Sequence, residues 1–231
     1  MNSEPASTER VRVSYDAVVD AYVDRVHDEL RHKPLDRALL TAFAEQVQSR
    51  YGAGATAGDL GCGPGHVGAF LVEHGLEVTG IDLSPAMVER ARALHPEMRF
   101  SVGDMTALDI PDASFHGLIA FYSIIHLDGD AEVRAALSEF HRTLADGGLL
   151  LVAVHLGEHG DSVVHSDAML GVSVDLDFHF FDVERLADAI ADAGFEVVAR
   201  LVRSPYEGVE VQTRRGYLLA RRVGDTGAEE T

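Results

Sequence analysis

The stretch Ala57–Gly68 reads A-G-D-L-G-C-G-P-G-H-V-G and holds three alternate glycines, Gly61, Gly63 and Gly65, behind the acid Asp59. Glycines at this spacing let the backbone turn sharply from a strand into a helix, and they let a ligand lie directly against the main chain. The N-terminus of the following helix supplies free N–H groups and a partial positive charge. The stretch therefore predicts a strand-turn-helix unit that binds a small, partly anionic ligand.

A second acid lies downstream, at the end of the predicted strand Glu77–Asp82, which reads E-V-T-G-I-D. An acid at the carboxyl end of the second strand of a nucleotide-binding fold is placed to accept hydrogen bonds from both ribose hydroxyls. The glycine turn and Asp82 together therefore predict a cofactor that contains adenosine.

The glycine motif has two interpretations. Residues Gly63–Gly68 fit the G-x-G-x-x-G of enzymes that bind nicotinamide dinucleotides. The wider pattern resembles the class I S-adenosylmethionine-dependent methyltransferases, in particular small-molecule enzymes with a methyltransferase domain of type 11 or 25, whose first motif is an acid followed by L-G-C-G-x-G. The resemblance spans Tyr15–Arg222. The motifs that carry it are Asp59–Gly65 (D-L-G-C-G-P-G), Ile81–Ser84 (I-D-L-S), Gly103–Met105 (G-D-M) and Leu144–Val152 (L-A-D-G-G-L-L-L-V).

Alternating strand and helix patterns predict a parallel sheet with helices on both faces, that is, an α/β fold. The resemblance implies a Rossmann-like seven-stranded sheet of order 3-2-1-4-5-7-6 with the last strand antiparallel, and two N-terminal lid helices within residues 14–51. Strands are predicted near Thr56–Leu60, Glu77–Ile81, Met98–Val102, Gly117–Tyr122, Gly148–His155, Glu196–Ser204 and Gly216–Arg221. Helices are predicted at Ser14–Leu30 (with Ser14 as N-cap), Leu35–Tyr51, Val67–His74, Pro85–His95, Asp130–Leu144 and Val183–Ala193.

Length and composition limit the classes of protein to which this chain can belong. The 231 residues, 46% of them hydrophobic, fit one α/β domain over 1–231, with 1–10 and 224–231 expected to be disordered. No apolar run approaches the ~20 residues of a membrane span, and the N-terminal residues lack a signal-peptide core. The single cysteine excludes an intramolecular disulfide. We expect a soluble, cytoplasmic protein without a membrane partner, either a monomer or a homodimer.

The formal net charge of −19 argues against a nucleic-acid substrate, because a phosphate backbone would be repelled over most of the surface. A small neutral, cationic or apolar acceptor is easier to accommodate. Metal binding is not expected either. His155 and His159 have a suitable spacing, but they are separated by a glycine-containing loop and have no nearby cysteine.

The resemblance implies a cofactor site for S-adenosyl-L-methionine, with S-adenosyl-L-homocysteine as its product. The three loop glycines would contact the methionine part through their backbone. Asp59 would orient the loop and reach the cofactor's amino group, directly or through water, or it would only cap backbone amides. The adenosine part is assigned to Asp82 (ribose), Leu83 and Met87 (the two faces of adenine, with core packing as the alternative for Met87), and Asp104 with the Met105 amide (the adenine edge, or an N-cap).

The segment after the fourth strand would run past the cofactor's sulfonium. Phe121 would lie against the cofactor, with Tyr122 and Ser123 toward the pocket floor. His126 is the best-placed base for an acceptor hydroxyl or amine, and its alternative role is to hydrogen-bond a backbone carbonyl. On the first helix, Tyr15 and Tyr22 lie two turns apart and would close over the cofactor, although for Tyr22 an aromatic stripe that packs the helix down is the alternative.

The connection His155–Asp177 is long, and long loops in compact domains are often functional lids, so we expect a substrate lid there, followed by an aromatic wall at Phe178–Phe181. The resulting hypothesis is methyl transfer to O, N or C of a small metabolite. One alternative is a non-methylating S-adenosylmethionine-binding protein of the same fold, a cyclase or a regulator. A nicotinamide-dependent oxidoreductase is less favoured, because the single lysine, Lys33, does not form a Tyr-x-x-x-Lys motif.

Overall fold

The computed structural model describes residues 7–224. Six helices lie along this part of the chain: α1 (Ser7–Val26), α2 (Pro34–Tyr51), α3 (His66–Glu73), α4 (Pro85–Leu94), α5 (Gly129–Thr143) and α6 (Val183–Asp192). The strands are β1 (Thr56–Leu60), β2 (Glu77–Asp82), β3 (Arg99–Val102), β4 (Phe115–Phe121), β5 (Leu144–His155), β6 (Ser162–Met169), β7 (Val172–Phe180), β8 (Phe195–Arg203) and β9 (Arg215–Arg222). Short 3₁₀ turns occupy Glu29–His32 and Ile124–His126.

Seven strands form the main sheet, in the order β3-β2-β1-β4-β5-β9-β8. Strands β1 to β5 pair in parallel, whereas β9 runs antiparallel to both β5 and β8. When only the strands of this sheet are counted, the order is the predicted 3-2-1-4-5-7-6. The numbers of the last two strands rise by two because the hairpin β6–β7 forms a sheet of its own before them.

Two hydrophobic cores lie on opposite faces of the sheet, and β5 contributes to both. Leu150 and Val152 pack with α5 and α6 on one face, while Leu149 and Leu151 pack with α2, α3 and α4 on the other. Alternate burial of this kind explains why the strand reads as a continuous apolar run. The predicted helices on both faces are confirmed.

The small residues of β1 are a packing requirement. A Cβ at Gly58 would lie 2.6 Å from Leu118 on the neighbouring strand β4. On β2, a Cβ at Gly80 would lie 2.5 Å from the Phe100 ring. Larger neighbours therefore fill the space that β1 and β2 leave open, and β1 has the bounds predicted for it.

The expected loop lid at 155–177 is wrong, because most of that segment forms the antiparallel hairpin β6–β7. Leu170 (φ 52°) and Gly171 (φ 81°) connect the two strands, and positive φ at both central residues is the geometry of a tight type I′ turn. The inner face of β7 carries Val174 and Leu176, which form a third small core with Val18 of α1.

Helix α1 begins at Ser7, so Ser14 is not its N-cap. Ser14 is buried in mid-helix, where its hydroxyl accepts a hydrogen bond from the Asp175 N–H at 2.9 Å and donates to the Asp175 carbonyl. The expected disorder of 1–10 is therefore corrected for residues 7–10, which are helical, while residues 1–6 and 225–231 lie outside the described residues. Of the two predicted lid helices, α1 covers the site, whereas α2 packs its Phe43 and Val47 against the sheet.

Candidate functional site

The glycine turn after β1 and the acid that ends β2 meet directly. The Gly63 N–H donates to Asp82 Oδ2 at 2.7 Å, and the Gly61 N–H donates to the Ile81 carbonyl at 2.7 Å. Gly61 has φ 70° and could carry no side chain in this position, because a Cβ would lie 2.3 Å from that of Ser123. The turn is thus fixed between the ends of three parallel strands, β1, β2 and β4, which is where open α/β sheets bind their ligands.

A cavity opens at this edge of the sheet and is covered by α1. Five acidic side chains and one arginine lie among its described lining residues. Most of the predicted site residues line it, namely Tyr15, Tyr22, Asp59, Gly61, Gly63, Asp82, Leu83, Asp104, Met105, Phe121 and His126. The excess of negative charge in this lining favours a ligand that carries positive charge.

Two predicted residues are absent from the cavity lining. Met87 belongs to α4, and its side chain is buried in the protein interior with only 1% exposed. Gly65 precedes α3 in the left-handed conformation, and a Cβ there would lie 2.8 Å from the Phe100 ring. The geometry therefore favours core packing for Met87 and a structural turn for Gly65.

Asp59 lies at the base of the cavity and is almost fully buried. Burial raises the pKa of its carboxyl to about 7, against the opposite effects of nearby His66 and of the Gly68 N–H. Its Oδ2 has no hydrogen-bond partner, and neither has the buried hydroxyl of Ser123 in the same lining. Buried polar atoms without partners are uncommon. These two atoms therefore fit a ligand that brings its own hydrogen-bonding groups.

Asp82 and Asp104 each accept hydrogen bonds from residues of the loop that follows them. Asp82 Oδ1 accepts from the Ser84 N–H at 2.9 Å, and burial raises the pKa of its carboxyl. Asp104 Oδ1 accepts from the N–H and the hydroxyl of Thr106, at 2.8 Å and 2.7 Å, and this fixes the turn after β3. Both acids also line the cavity, so each combines the structural role with access to a ligand.

His126 lies in a chain of hydrogen bonds that links the lid to the strand ends. Its Nε2 is 2.7 Å from the Tyr15 hydroxyl, and its Nδ1 is 3.0 Å from the Asp177 carbonyl. A carbonyl only accepts, so Nδ1 carries the proton and Nε2 accepts from Tyr15. Burial lowers the pKa of the imidazole to about 4, so His126 is neutral at physiological pH. Both of its predicted roles remain compatible with this geometry.

Tyr122 connects the cavity floor to a buried cluster of charges. It has φ 57°, a strained conformation for a bulky residue, and its hydroxyl lies 2.7 Å from that of Tyr217. Tyr217 donates to Asp36 at 2.9 Å, and Arg203 donates to the other oxygen of Asp36 at 2.9 Å. This cluster joins α2 to β8 and β9 behind the site.

The sequence patterns missed several residues of the cavity. Glu29 and His66 form a contact across it, with Glu29 Oε1 3.3 Å from His66 Nε2. Asp16 of α1 accepts from the Ser84 hydroxyl at 2.6 Å and so fixes the lid to the start of α4. These pairs are far apart in sequence, and no local motif marks them. Within residues 7–224, no three His, Cys, Asp or Glu side chains are grouped so that they could hold a metal ion.

Fold and cavity together define a Rossmann-like α/β protein with a cavity at the carboxyl ends of β1, β2 and β4. The family model described as "Methyltransferase domain" matches residues 58–148, which include the glycine turn, Asp82 and His126. A malonyl-acyl-carrier-protein O-methyltransferase from Serratia marcescens is 30% identical over 155 residues, which cover 65% of this chain and 58% of that protein. An O-methyltransferase from Pyrenophora dematioidea is 28% identical over 181 residues, covering 73% and 65%.

Solved structures share the fold over a larger part of the chain. A 1,6-didemethyltoxoflavin-N1-methyltransferase from Burkholderia thailandensis, with its substrate and S-adenosylhomocysteine bound, has a TM-score of 0.65, 20% identity and coverage of 96% and 93%. The 4+2 cyclase SpnF has a TM-score of 0.64, 19% identity and coverage of 95% and 97%. At these identities the likeness shows the fold alone.

The matches support the class I S-adenosylmethionine-dependent methyltransferase family, which the glycine motif resembles. The matched part of the chain covers between about half and two-thirds of the length of its curated relatives, from 53% to 65% in four of them. Within residues 7–224, no helix has both the length and the apolar character needed to cross a bilayer.

Proposed function

We propose that this protein transfers a methyl group from S-adenosyl-L-methionine to an oxygen, nitrogen or carbon of a small molecule. The observation that carries the proposal is the direct bond between the Gly63 N–H and Asp82 at the floor of a cavity that α1 covers. A glycine turn that contacts an acid able to bind ribose hydroxyls is what an adenosine cofactor requires, and this supports the proposal.

The adenosine end fits the wall built by the loops after β2 and β3. Asp82 would accept from the ribose hydroxyls, Leu83 would pack on one face of the adenine, and Asp104 with the Met105 amide would meet its edge. The methionine end fits the unpartnered Asp59 Oδ2 and Ser123 hydroxyl, with Gly61 and Gly63 beneath it and Tyr22 above. Gly65 would act on the ligand only through the turn that it shapes.

The cofactor supplies an electrophilic methyl group, so the protein mainly positions the acceptor and excludes water. Tyr15 of α1 and Phe121 at the end of β4 both line the cavity, which α1 covers. The acidic lining favours a cationic donor. These residues would hold the acceptor in line with the methyl group, which is the main requirement for a displacement reaction.

His126 is the base that we assign to acceptors that must lose a proton. His126 is neutral and protonated at Nδ1, so its Nε2 carries the lone pair. That lone pair accepts a proton from the acceptor directly if the Tyr15 hydroxyl moves away, or through the Tyr15 hydroxyl if it stays in place. An acceptor hydroxyl that donates to the Tyr15 oxygen would pass its proton along this chain to His126. Acceptors that need no proton removal would use the cavity without this step.

We further propose a small-molecule acceptor, no nucleic-acid partner, a monomer or homodimer, and a cytoplasmic location. The net charge of −19 supports the second of these points. The alternative is a cyclase or a regulator with the same cofactor site. Such a protein would bind S-adenosyl-L-methionine without transferring the methyl group of the cofactor.

A methyl-transfer assay tests the proposal. The protein is incubated with S-adenosyl-L-methionine and a panel of hydroxylated, amine-bearing and carbon-acid metabolites, and mass spectrometry detects a methylated product together with S-adenosylhomocysteine. His126→Ala should lower the rate on hydroxyl acceptors by about 10²- to 10⁴-fold. Cofactor binding with no product from any panel member would favour the cyclase or regulator, and turnover of reduced nicotinamide would contradict the proposal.

A further inference from the structure

Strand β6 (Ser162–Met169) is a free edge of the two-stranded sheet that it forms with β7. Within residues 7–224 it pairs with no strand other than β7. Six of its eight residues are exposed, and Val163 and Val164 are 54% and 52% exposed. The outer edge of β6 therefore presents backbone N–H and C=O groups that β7 does not satisfy, and such groups are complementary to another extended strand.

β6 lacks the features by which soluble proteins usually protect such an edge. The stretch S-V-V-H-S-D-A-M contains no lysine, arginine or proline, and its two adjacent valines favour strand pairing. The β6–β7 ladder does shift register between Ser166 and Ala168, but the extra residue belongs to β7, because two residues of β7 face one residue of β6 there. β6 itself is therefore a regular strand whose outer edge is open to pairing.

A second copy of this chain fits that edge. In an antiparallel pair, directly opposite residues either both direct their N–H and C=O groups toward the partner strand or both direct them away. Two identical strands related by a two-fold axis therefore pair about a residue and not about a point between two residues. With Ser166 on the axis, residues 163–169 of both copies pair, and Val163 lies opposite Met169 of the partner subunit. Val164 likewise lies opposite Ala168 of the partner subunit, so apolar side chains meet along the ladder.

His165 and Asp167 make this register self-complementary. With Ser166 on the axis, His165 lies opposite Asp167 of the partner subunit, and the same pair recurs on the other side of the axis. The imidazole is held in place on the strand, because its Nδ1 lies 2.9 Å from Asp177 Oδ1 across the hairpin. A register centred on His165 is equally long (residues 162–168), but it sets the two histidines against each other and Val163 against the partner's Asp167. The sequence of β6 therefore favours the axis at Ser166.

We propose that two copies of this chain form a dimer by antiparallel pairing of β6 with β6 of the second copy, centred on Ser166. The pairing joins the two-stranded sheets of both copies into one continuous sheet. β7 holds α1 through the Asp175 N–H, which donates to Ser14, and its Asp177 carbonyl accepts from His126. The dimer would therefore support the lid of each subunit from outside the cavity. The inference goes beyond the proposed function and does not depend on methyl transfer.

The acidity of the chain opposes this association. Each copy has a formal net charge of −19, so two copies repel each other at long range. Salt screens that repulsion, with a Debye length of about 8 Å at about 0.15 M ionic strength and about 3 Å at about 1 M. Contacts between apolar side chains and between backbone groups are not weakened by screening. The dimer should consequently become tighter as the salt concentration is raised.

Sedimentation velocity of the full-length protein over a range of concentrations tests the pairing. Val164→Lys places a charge on the paired edge and should raise the dissociation constant of the dimer by at least about tenfold. Val211→Lys is the matched control, because Val211 is 64% exposed in the loop between β8 and β9 and gains the same charge. The dissociation constant of this control should stay within about twofold of wild type.

Engineered cysteines test the register. Ser166→Cys brings two thiols together on the axis, where the Cα atoms would lie about 4.5–5.5 Å apart and within reach of a disulfide. Ala168→Cys is the control, because its two copies would be offset by roughly 13 Å along the strands. His165→Cys reports the other register, in which it would lie on the axis. After mild oxidation, non-reducing electrophoresis should show a linked dimer for Ser166→Cys alone, since the native Cys62 is buried.

A dimer that Val164→Lys weakens, together with linkage through Ser166→Cys, supports the inference. A wild-type protein that stays monomeric at every concentration and salt level would overturn it, as would equal weakening by Val164→Lys and Val211→Lys. Linkage of Ala168→Cys or His165→Cys as strong as that of Ser166→Cys would overturn it too. Circular dichroism checks that each variant is folded. A monomer that binds S-adenosylhomocysteine would contradict the dimer and leave the proposed function intact.

Discussion

His126 is held by hydrogen bonds on both ring nitrogens and is buried, a combination that favours its neutral form. The side chain of an unperturbed histidine has a pKa of about 6.5, whereas burial lowers the pKa of His126 to about 4. The imidazole of His126 is therefore neutral across the physiological range and keeps a lone pair on Nε2.

NMR of the imidazole resonances checks this directly. The His126 signals should stay those of a neutral, Nδ1-protonated ring from pH 8 down to about pH 5, because protonation begins only near a pKa of about 4. His126→Gln assigns the signals by removing them. A His126 titration centred between pH 6 and 7 would contradict the buried, bonded geometry.

Asp59 gives a second prediction on the residue scale, in the opposite direction. With its pKa raised to about 7 by burial, it is partly protonated in the free protein, and an ammonium ligand would favour its charged form. The affinity for S-adenosylhomocysteine should therefore rise with pH from about 6 to 8, by on the order of tenfold, and then level off.

Asp59→Asn is the control for that pH dependence. His66 and Asp82 also act on this carboxyl and remain in the variant. A flat pH profile in Asp59→Asn, measured by calorimetry, would assign the effect to Asp59. The same slope in wild type and variant would show that another group titrates.

On the scale of elements, α1, which covers the cavity as its lid, is joined to the hairpin β6–β7 in one unit. Ser14 bonds both backbone groups of Asp175, and Arg10 pairs with Asp175 and Asp177, each at 3.1 Å. Asp177 in turn accepts from His126 through its carbonyl. Any motion of this lid is therefore coupled to the hydrogen bonds of the candidate base.

Ser14→Ala tests whether the lid behaves as one unit. It leaves the Asp175 N–H without its partner, which should cost about 1–3 kcal/mol of stability. Hydrogen exchange should speed up together in α1 and in β6–β7, with β1 and β4 unchanged. Ser138→Ala on the exposed surface of α5 should stay within about 0.5 kcal/mol. Faster exchange in α1 alone would argue against a joint lid.

The elements that the sequence predicts well are those with strong local signals. The glycine turn places β1 and α3, and the continuous apolar run of β5 marks a strand that is buried on both faces. β7 also carried a signal, because apolar residues alternate from Val172 to Phe180 with polar ones. The prediction of a loop overlooked this alternation in β7. Its partner strand β6 gave no matching pattern, because β6 is exposed along most of its length.

The early start of α1 and the Glu29–His66 pair had no comparable local signal. The first turns of α1 are polar, and they are stabilised by contacts of Arg10 with residues more than 160 positions away. Glu29 and His66 are separated by 37 positions and meet only because α1 folds back over the glycine turn. Long-range pairing of this kind cannot be read from periodicity.

On the scale of the whole molecule, a buried charge cluster holds the N-terminal half of the chain against the last two strands. Asp36 of α2 is fully buried and accepts from Arg203 of β8 and from Tyr217 of β9. Arg203 also pairs with Glu210, which lies 3.3 Å from Arg215. Because these charges are satisfied by one another, removing one leaves its partners unpaired in the interior.

Asp36→Ala should therefore destabilise the fold by about 3–5 kcal/mol, measured by urea unfolding. The exposed pair of Glu196 and Arg221, 2.6 Å apart, is the matched control, and Glu196→Ala should cost less than about 1 kcal/mol. Similar small losses for both variants would mean that the buried cluster does not hold the halves together.

The central claim concerns the whole molecule as well, since the glycine turn and the end of β2 must together hold an adenosyl group. Titration of S-adenosylhomocysteine into the wild-type protein and into Asp82→Ala tests it most directly. We predict saturable binding to the wild type at one site per chain, and a loss of at least about tenfold in affinity in Asp82→Ala, whose ribose contacts are gone. No binding to the wild type, or equal binding to both proteins, would contradict the claim.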